Sequence, residues 1–200
     1  MLQRMKNRIS CFWSDNSGAV AIEFAASFLP VTIALIGTFE TAWMMMVQND
    51  MSRAAAETAR YIRLGVARNW TVDQIRTEYC SHLWVVSCQT ADIKIELHEM
   101  DTIAQASDAA SGNTILSGSG NTRSVGNNAC FKADGTSCTR LGSPALASGS
   151  TGSVMLMKVY GQFPGLARLW SPFLWHTSSG ATILRVTQLF TTEPYDDSAP

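Results

Sequence analysis

Two hundred residues, 46% of them hydrophobic and 16% charged, with a net charge of −1, fit one modest domain with an attached segment. There is no basic surplus of the kind that nucleic-acid binding needs, so nucleic acid is excluded as a partner. The charge is uneven: Arg4, Lys6 and Arg8 against Asp15 make the first 18 residues +2, leaving −3 for the remainder, and this asymmetry reads as a membrane topology signal.

The chain begins with this short basic stretch, and a long apolar run follows from Ala19 to Val47, opened by SGAVAIEF at 17–24. Phe24 to Phe39 is sixteen residues without a charge. As a helix at ~1.5 Å per residue it is about 24 Å long, slightly less than a bilayer core of ~30 Å. Ala19–Ile22 and Thr41–Val47 supply the missing length. Glu23 and Glu40 then fall near the two interfaces, where carboxylates reach water or a partner. The basic residues place the N-terminus in the cytoplasm. Pro30 removes the hydrogen bond to residue 26, so a kink is expected, with Ser27, Thr32 or a neighbouring helix offering a substitute partner.

Beyond Glu40 the apolar residues fall at helical spacing. Met44, Val47, Met51, Ala54, Thr58 and Ile62 line one face, and Asp50, Arg53, Glu57 and Arg60 line the opposing one. The spacing predicts a single helix from about Gly18 to Leu64, stopped by Gly65, in which 48–65 is an amphipathic continuation. Ala54, Ala55 and Ala56 offer a flat strip for close approach. Thr71 then reads as the N-cap of a second helix over TVDQIRTEYCSHLW. Three strands are expected: 91–100, where Ile93, Ile95 and Leu97 alternate with Lys94, Glu96 and His98, then 153–163 and 181–190.

Between the first two strands, residues 101–153 change composition: 36 of the 53 are Ser, Gly, Asn, Thr or Ala. Such an excursion buries too little apolar surface for a core of its own. Cys11 precedes the apolar run, and Cys80, Cys88, Cys130 and Cys138 follow it. Export of the distal part to an oxidising compartment makes two disulfides plausible, with three connectivities open. Cys80–Cys88 and Cys130–Cys138 are favoured because each pair closes a short loop. Cys80-x-His82 with Cys88 lacks the paired spacing of a structural zinc site, and no nucleotide loop, nucleophile elbow or paired-carboxylate arrangement occurs. No catalytic residue, metal or cofactor is expected. Trp70, Trp84, Trp170 and Trp175 fit a membrane interface or a small core better than a carbohydrate-binding face.

A secretory signal would join its basic and apolar parts directly and stop after 7–15 apolar residues, unlike this run. A plain uncleaved anchor gives no reason for Glu23. The residues G-AVAIEF, FLP at 28–30 and FETAWMMMVQNDMSRAAAETAR resemble the TadE-like minor pilins, or pseudopilins, of Flp (tight adherence) pilus systems, with a weaker echo in VMLMKVYGQFP and LFTTEPY. The resemblance implies an α+β, type IV pilin-like fold, with a long N-terminal transmembrane helix packed on a small antiparallel sheet of about three strands. It also implies cleavage after Gly18 by a prepilin peptidase, an aspartate-dependent membrane protease. Residues 1–18 would be a cytoplasmic leader, 19–47 a single inner-membrane span and 66–200 a periplasmic domain. Gly18, Ala19, Glu23 and Phe24 would form the processing site, and Pro30 the kink. Glycine suits a scissile bond because a protease must wrap the backbone closely.

Glu23 would become the fifth residue of the mature chain, facing the α-amino group of a neighbouring subunit. At ~4 Å and an effective dielectric near 20 such a pair interacts by about 4 kcal/mol before desolvation. A dipole role at the helix N-terminus is the simpler alternative for this acid. The partners implied are the peptidase, other pilin or pseudopilin subunits, pilus assembly proteins and the inner membrane. Two rival readings remain: an uncleaved inner-membrane scaffold of the pilus machine, and a periplasmic hydrolase on a stalk, which would need a convergent polar pocket within 66–200.

Overall fold

The computed structural model describes residues 18–67, 69–89, 91–100, 104, 115–119, 121–132, 136–138, 154–164 and 176–192. The basic leader up to residue 17, with Cys11, lies outside the described residues, as do Trp170, Trp175 and the final Glu193–Tyr195. The chain forms two compact units, Met1–Thr41 and Ala42–Pro200.

Helix α1 is Ala19–Arg63, 45 residues with Pro30 inside it. Thr32 donates to the carbonyl of Phe28 at 2.9 Å, so it does not serve the carbonyl of residue 26 that Pro30 leaves without its usual donor. In the first unit Val20, Ile22, Phe24, Phe28, Leu29, Val31, Leu35 and Phe39 are all more than half exposed. Among the described residues this is the one helix long and apolar enough to cross a membrane, and none of its most apolar stretch is buried.

In the second unit α1 changes character. Val47, Met51, Ala54, Thr58 and Ile62 are buried, as the three-and-four spacing anticipates. The helix stops where Gly65 takes φ 75°, a left-handed value that suits glycine, with its N–H bonded to the carbonyl of Ile62 at 3.1 Å. Helix α2, Val72–Ser81, starts with a complete capping box: Gln74 N–H donates to Thr71 Oγ1, and Thr71 N–H donates to Gln74 Oε1 at 2.8 Å. The buried Tyr79 hydroxyl donates to the Met51 carbonyl at 3.2 Å and so joins α2 to α1.

The strands are β1 (Asp92–Met100), β2 (Leu116–Ser119), β3 (Thr122–Val125), β4 (Ala129–Phe131), β5 (Val154–Phe163) and β6 (Thr182–Thr191). Four of them form a sheet in the order β4-β1-β5-β6, and β2 with β3 forms a separate hairpin. The three strands read from the sequence are β1, β5 and β6, and they pair antiparallel; Val159 stands opposite both Ile95 and Val186. The fold class is α+β, a long apolar helix with a small, mostly antiparallel sheet. One face of the sheet carries Ile93, Ile95, Leu97, Met155, Met157 and Val159 into the core that also holds the buried face of α1 and Val72, Ile75 and Tyr79 of α2.

Two expectations are corrected. The excursion supplies regular structure: β4 adds to the sheet edge in parallel, with Glu96 opposite Ala129, and Asn128 accepts the Ile95 N–H at 2.9 Å. Its Ile115 and Leu116, with Val125 and Ala129, cover Tyr160 and Ile183. A polar stretch too poor for its own core can still roof another's, so the middle of β1, from Ile95 to Leu97, is buried on both faces.

Asp50, expected on the solvent face of α1, is buried. Its Oδ2 accepts the N–H groups of Trp84 and Val85, each at 2.9 Å, and its Oδ1 accepts from Arg53 at 2.9 Å. The reason is the segment after α2, which folds back over this turn of the helix and brings two donors that need an acceptor. Burial alone would raise the Asp50 carboxyl, but the two backbone N–H groups and Arg53 outweigh it and hold the carboxyl below its ordinary value.

The Asp50 contribution to stability is therefore full above the ordinary carboxylate range and is lost as pH falls through the lower folded value. Asp50→Ala, which orphans two backbone donors, is expected to destabilise the domain by roughly 2–4 kcal/mol. Thermal unfolding of the detergent-solubilised chain across acid pH measures both effects, and a variant melting like the parent would contradict them.

Candidate functional site

The sequence assigns its site to the start of α1, where the side chains of Glu23 and Phe24 are exposed. Gly18 directly precedes α1 and is exposed, and a Cβ built on it would meet nothing within 4 Å. Its backbone does not adopt a left-handed φ. Among the described residues nothing therefore requires glycine at this position.

Glu23 is exposed and makes no ion pair with a described residue; Phe24 is also exposed, its ring stacked on Phe28 at 5.4 Å between centroids. Pro30 is exposed within the helix, two residues past Phe28. Gly18 thus lies just before the helix, and Ala19, Glu23 and Phe24 fall within its first six residues.

Residues 18–60 match the family model described as TadE-like protein. This segment is TadE-like. The match covers α1 from its first turn almost to its end. No curated protein and no solved structure matches the chain. The matched segment contains the apolar part of α1 and the buried stripe as far as Thr58, along with Asp50 and Arg53.

The four distal cysteines are joined in two short loops. Cys80 is bonded to Cys88 with Cα atoms 5.7 Å apart, and Cys130 to Cys138 with Cα atoms 5.0 Å apart. The first closes the segment that bonds to Asp50. The second fixes the turn after β4, where Cys138 N–H also bonds to the Cys130 carbonyl at 2.9 Å. A cavity of about 380 Å³ lies between this second loop and the start of α2, lined by Thr71, Asp73, Asn128, Phe131 and Ser137 among others. Asp73 is already engaged by the Asn128 amide at 2.6 Å. Among the described residues no cluster of His, Cys, Asp or Glu has the arrangement of a metal site.

A buried polar group on the other face of the sheet was not anticipated. Glu96 and Lys158 stand opposite each other on β1 and β5, and both are fully buried. Glu96 Oε1 lies 2.5 Å from His98 Nε2 and 3.8 Å from Lys158 Nζ, and Tyr160 donates to Glu96 Oε2 at 3.2 Å. His98 stacks on Phe131 of β4 at 5.0 Å.

Burial pushes the Lys158 amine down, with Arg185 adding to the effect and Glu96 opposing it. Burial and then the Glu96 charge push the Tyr160 phenol up, which keeps it a donor. The alternation of Lys94, Glu96 and His98 reads in the sequence as a wet face, and only the cover supplied by β2, β3 and β4 makes it dry.

Glu96→Leu alone takes the carboxylate away from a buried ammonium and is expected to cost about 3–5 kcal/mol. The double change Glu96→Leu with Lys158→Met should recover the part of that loss due to the unpaired ammonium, while Tyr160 and His98 still lack their acceptor. Denaturant unfolding of the solubilised chain measures the cycle, and two strictly additive losses would contradict the coupling.

Proposed function

We propose that this chain is a minor pilin or pseudopilin that takes part in assembly of a Flp-type (Tad) pilus for adhesion. A prepilin peptidase cuts it after Gly18, so that Ala19 becomes the mature N-terminus. The observation that carries the reading is the TadE-like match beginning at an exposed glycine immediately before a long apolar helix. No described residue comes near enough to require glycine there, which suits a position where an enzyme must close on the scissile backbone.

The mature chain is held in the inner membrane by the apolar part of α1, single pass, with residues 1–18 cytoplasmic and the sheet domain periplasmic. Two disulfides in the distal part fit that oxidising side. Glu23 has no ion pair with a described residue, which suits a carboxylate whose cation comes from another subunit. Pro30 marks the helix kink. The role is structural: the chain is the peptidase's substrate and is itself no enzyme, and its partners are other pilin or pseudopilin subunits and pilus assembly proteins.

Gly18→Leu is expected to block maturation, leaving the leader on the membrane-extracted protein; normal processing of that variant would remove the cleavage site from Gly18. Glu23→Ala should still be processed but should lose co-purification with pilus subunits. Undiminished association would instead favour a role for Glu23 confined to the helix dipole.

A further inference from the structure

Trp84 is 81% exposed, yet it is not loose. Its N–H and that of Val85 are held by Asp50, the Cys80–Cys88 bond closes the segment, and the Arg53 guanidinium lies 4.2 Å from its ring centroid. Arg53 is fixed in turn by Asp50 and the carbonyl of His82, while its side chain stays 39% exposed. A large ring presented rigidly to water forgoes its burial energy. A cation stacked on it adds an exposed group suited to phosphate.

We infer that Trp84 and Arg53 form a headgroup-level anchor, with the indole in the interfacial layer of the membrane and the guanidinium facing lipid phosphate. The inference rests on the reading of α1 as a membrane span and adds where its outer boundary lies. Trp43, Met45 and Met46, one or two turns before Asp50 in the same unit, are all more than half exposed, and large apolar side chains of this kind belong in hydrocarbon. At ~1.5 Å per residue Asp50 stands about 6 Å beyond Met46, which equals the ~5–7 Å depth of one headgroup layer.

Trp and Arg are side chains that favour this layer, the one for its amphipathic ring and the other for its weakly hydrated cation. A neighbouring copy would be the other occupant, but lipid is favoured because Arg53 follows the exposed apolar Trp43, Met45 and Met46 by about two to three turns of the same helix.

The test uses the full chain carrying fluorotryptophan, inserted singly into nanodiscs of phosphatidylethanolamine and phosphatidylglycerol. Fluorine resonances are assigned by their absence in Trp43→Phe and Trp84→Phe. A nitroxide on the lipid headgroup is expected to remove most of the Trp84 intensity, and a nitroxide near the top of the acyl chain most of that from Trp43. Trp43 broadened with Trp84 untouched by the headgroup label would overturn the anchor while leaving the membrane span intact. Neither broadened would overturn both. Trp84 shifted only in discs holding several copies would overturn the anchor in favour of a contact between subunits.

Discussion

The packing of Val47, Met51, Ala54, Thr58 and Ile62 against Ile93, Ile95, Leu97, Met155, Met157 and Val159 is the contact on which the sheet domain depends. It uses only one stripe of α1, which leaves the rest of the helix free to meet other surroundings. Ala54, Ala55 and Ala59 are buried in this seam, and the buried Met and Ile side chains contribute roughly 1.5–3 kcal/mol each. Before Val47 the stripe gives way to residues that are apolar on every side. One continuous helix therefore carries two demands: a packed seam in its second half and an unburied apolar surface in its first.

Polar groups decide how the remaining elements attach to that seam. Asp50 gathers the N–H groups of Trp84 and Val85, and Tyr79 reaches the Met51 carbonyl, so the segment from α2 to Cys88 is fastened to α1 near its emergence from the apolar run. On the far side of the sheet Glu96, His98, Lys158 and Tyr160 satisfy one another under the cover of β2, β3 and β4. Both clusters are buried charges kept by hydrogen bonds, and each loses its balance if one partner is removed.

What could be read from the sequence followed local rules. The α1 stripe, Gly65 as its stop, the Thr71 cap and the alternation at Ile93, Ile95 and Leu97 each depend on residues within a few positions, and each stands in the structure. Asp50 and Glu96 were misread because their polarity matches a solvent face, and what buries them comes from 34 to 35 residues away in one case and from the polar excursion in the other. β4 has three residues, too few to show any period. At the start of α1 the motif was legible as spacing alone. Under the proposed function its meaning lies in what a peptidase does at Gly18, and a position that touches no described residue leaves no packing pattern to read.

The account turns on one bond, the peptide between Gly18 and Ala19. Intact mass measurement of the protein extracted from the membranes in which it is made tests it most directly. The account predicts a chain that begins at Ala19, with both disulfides retained. A mass corresponding to a chain that still begins at Met1 would contradict it.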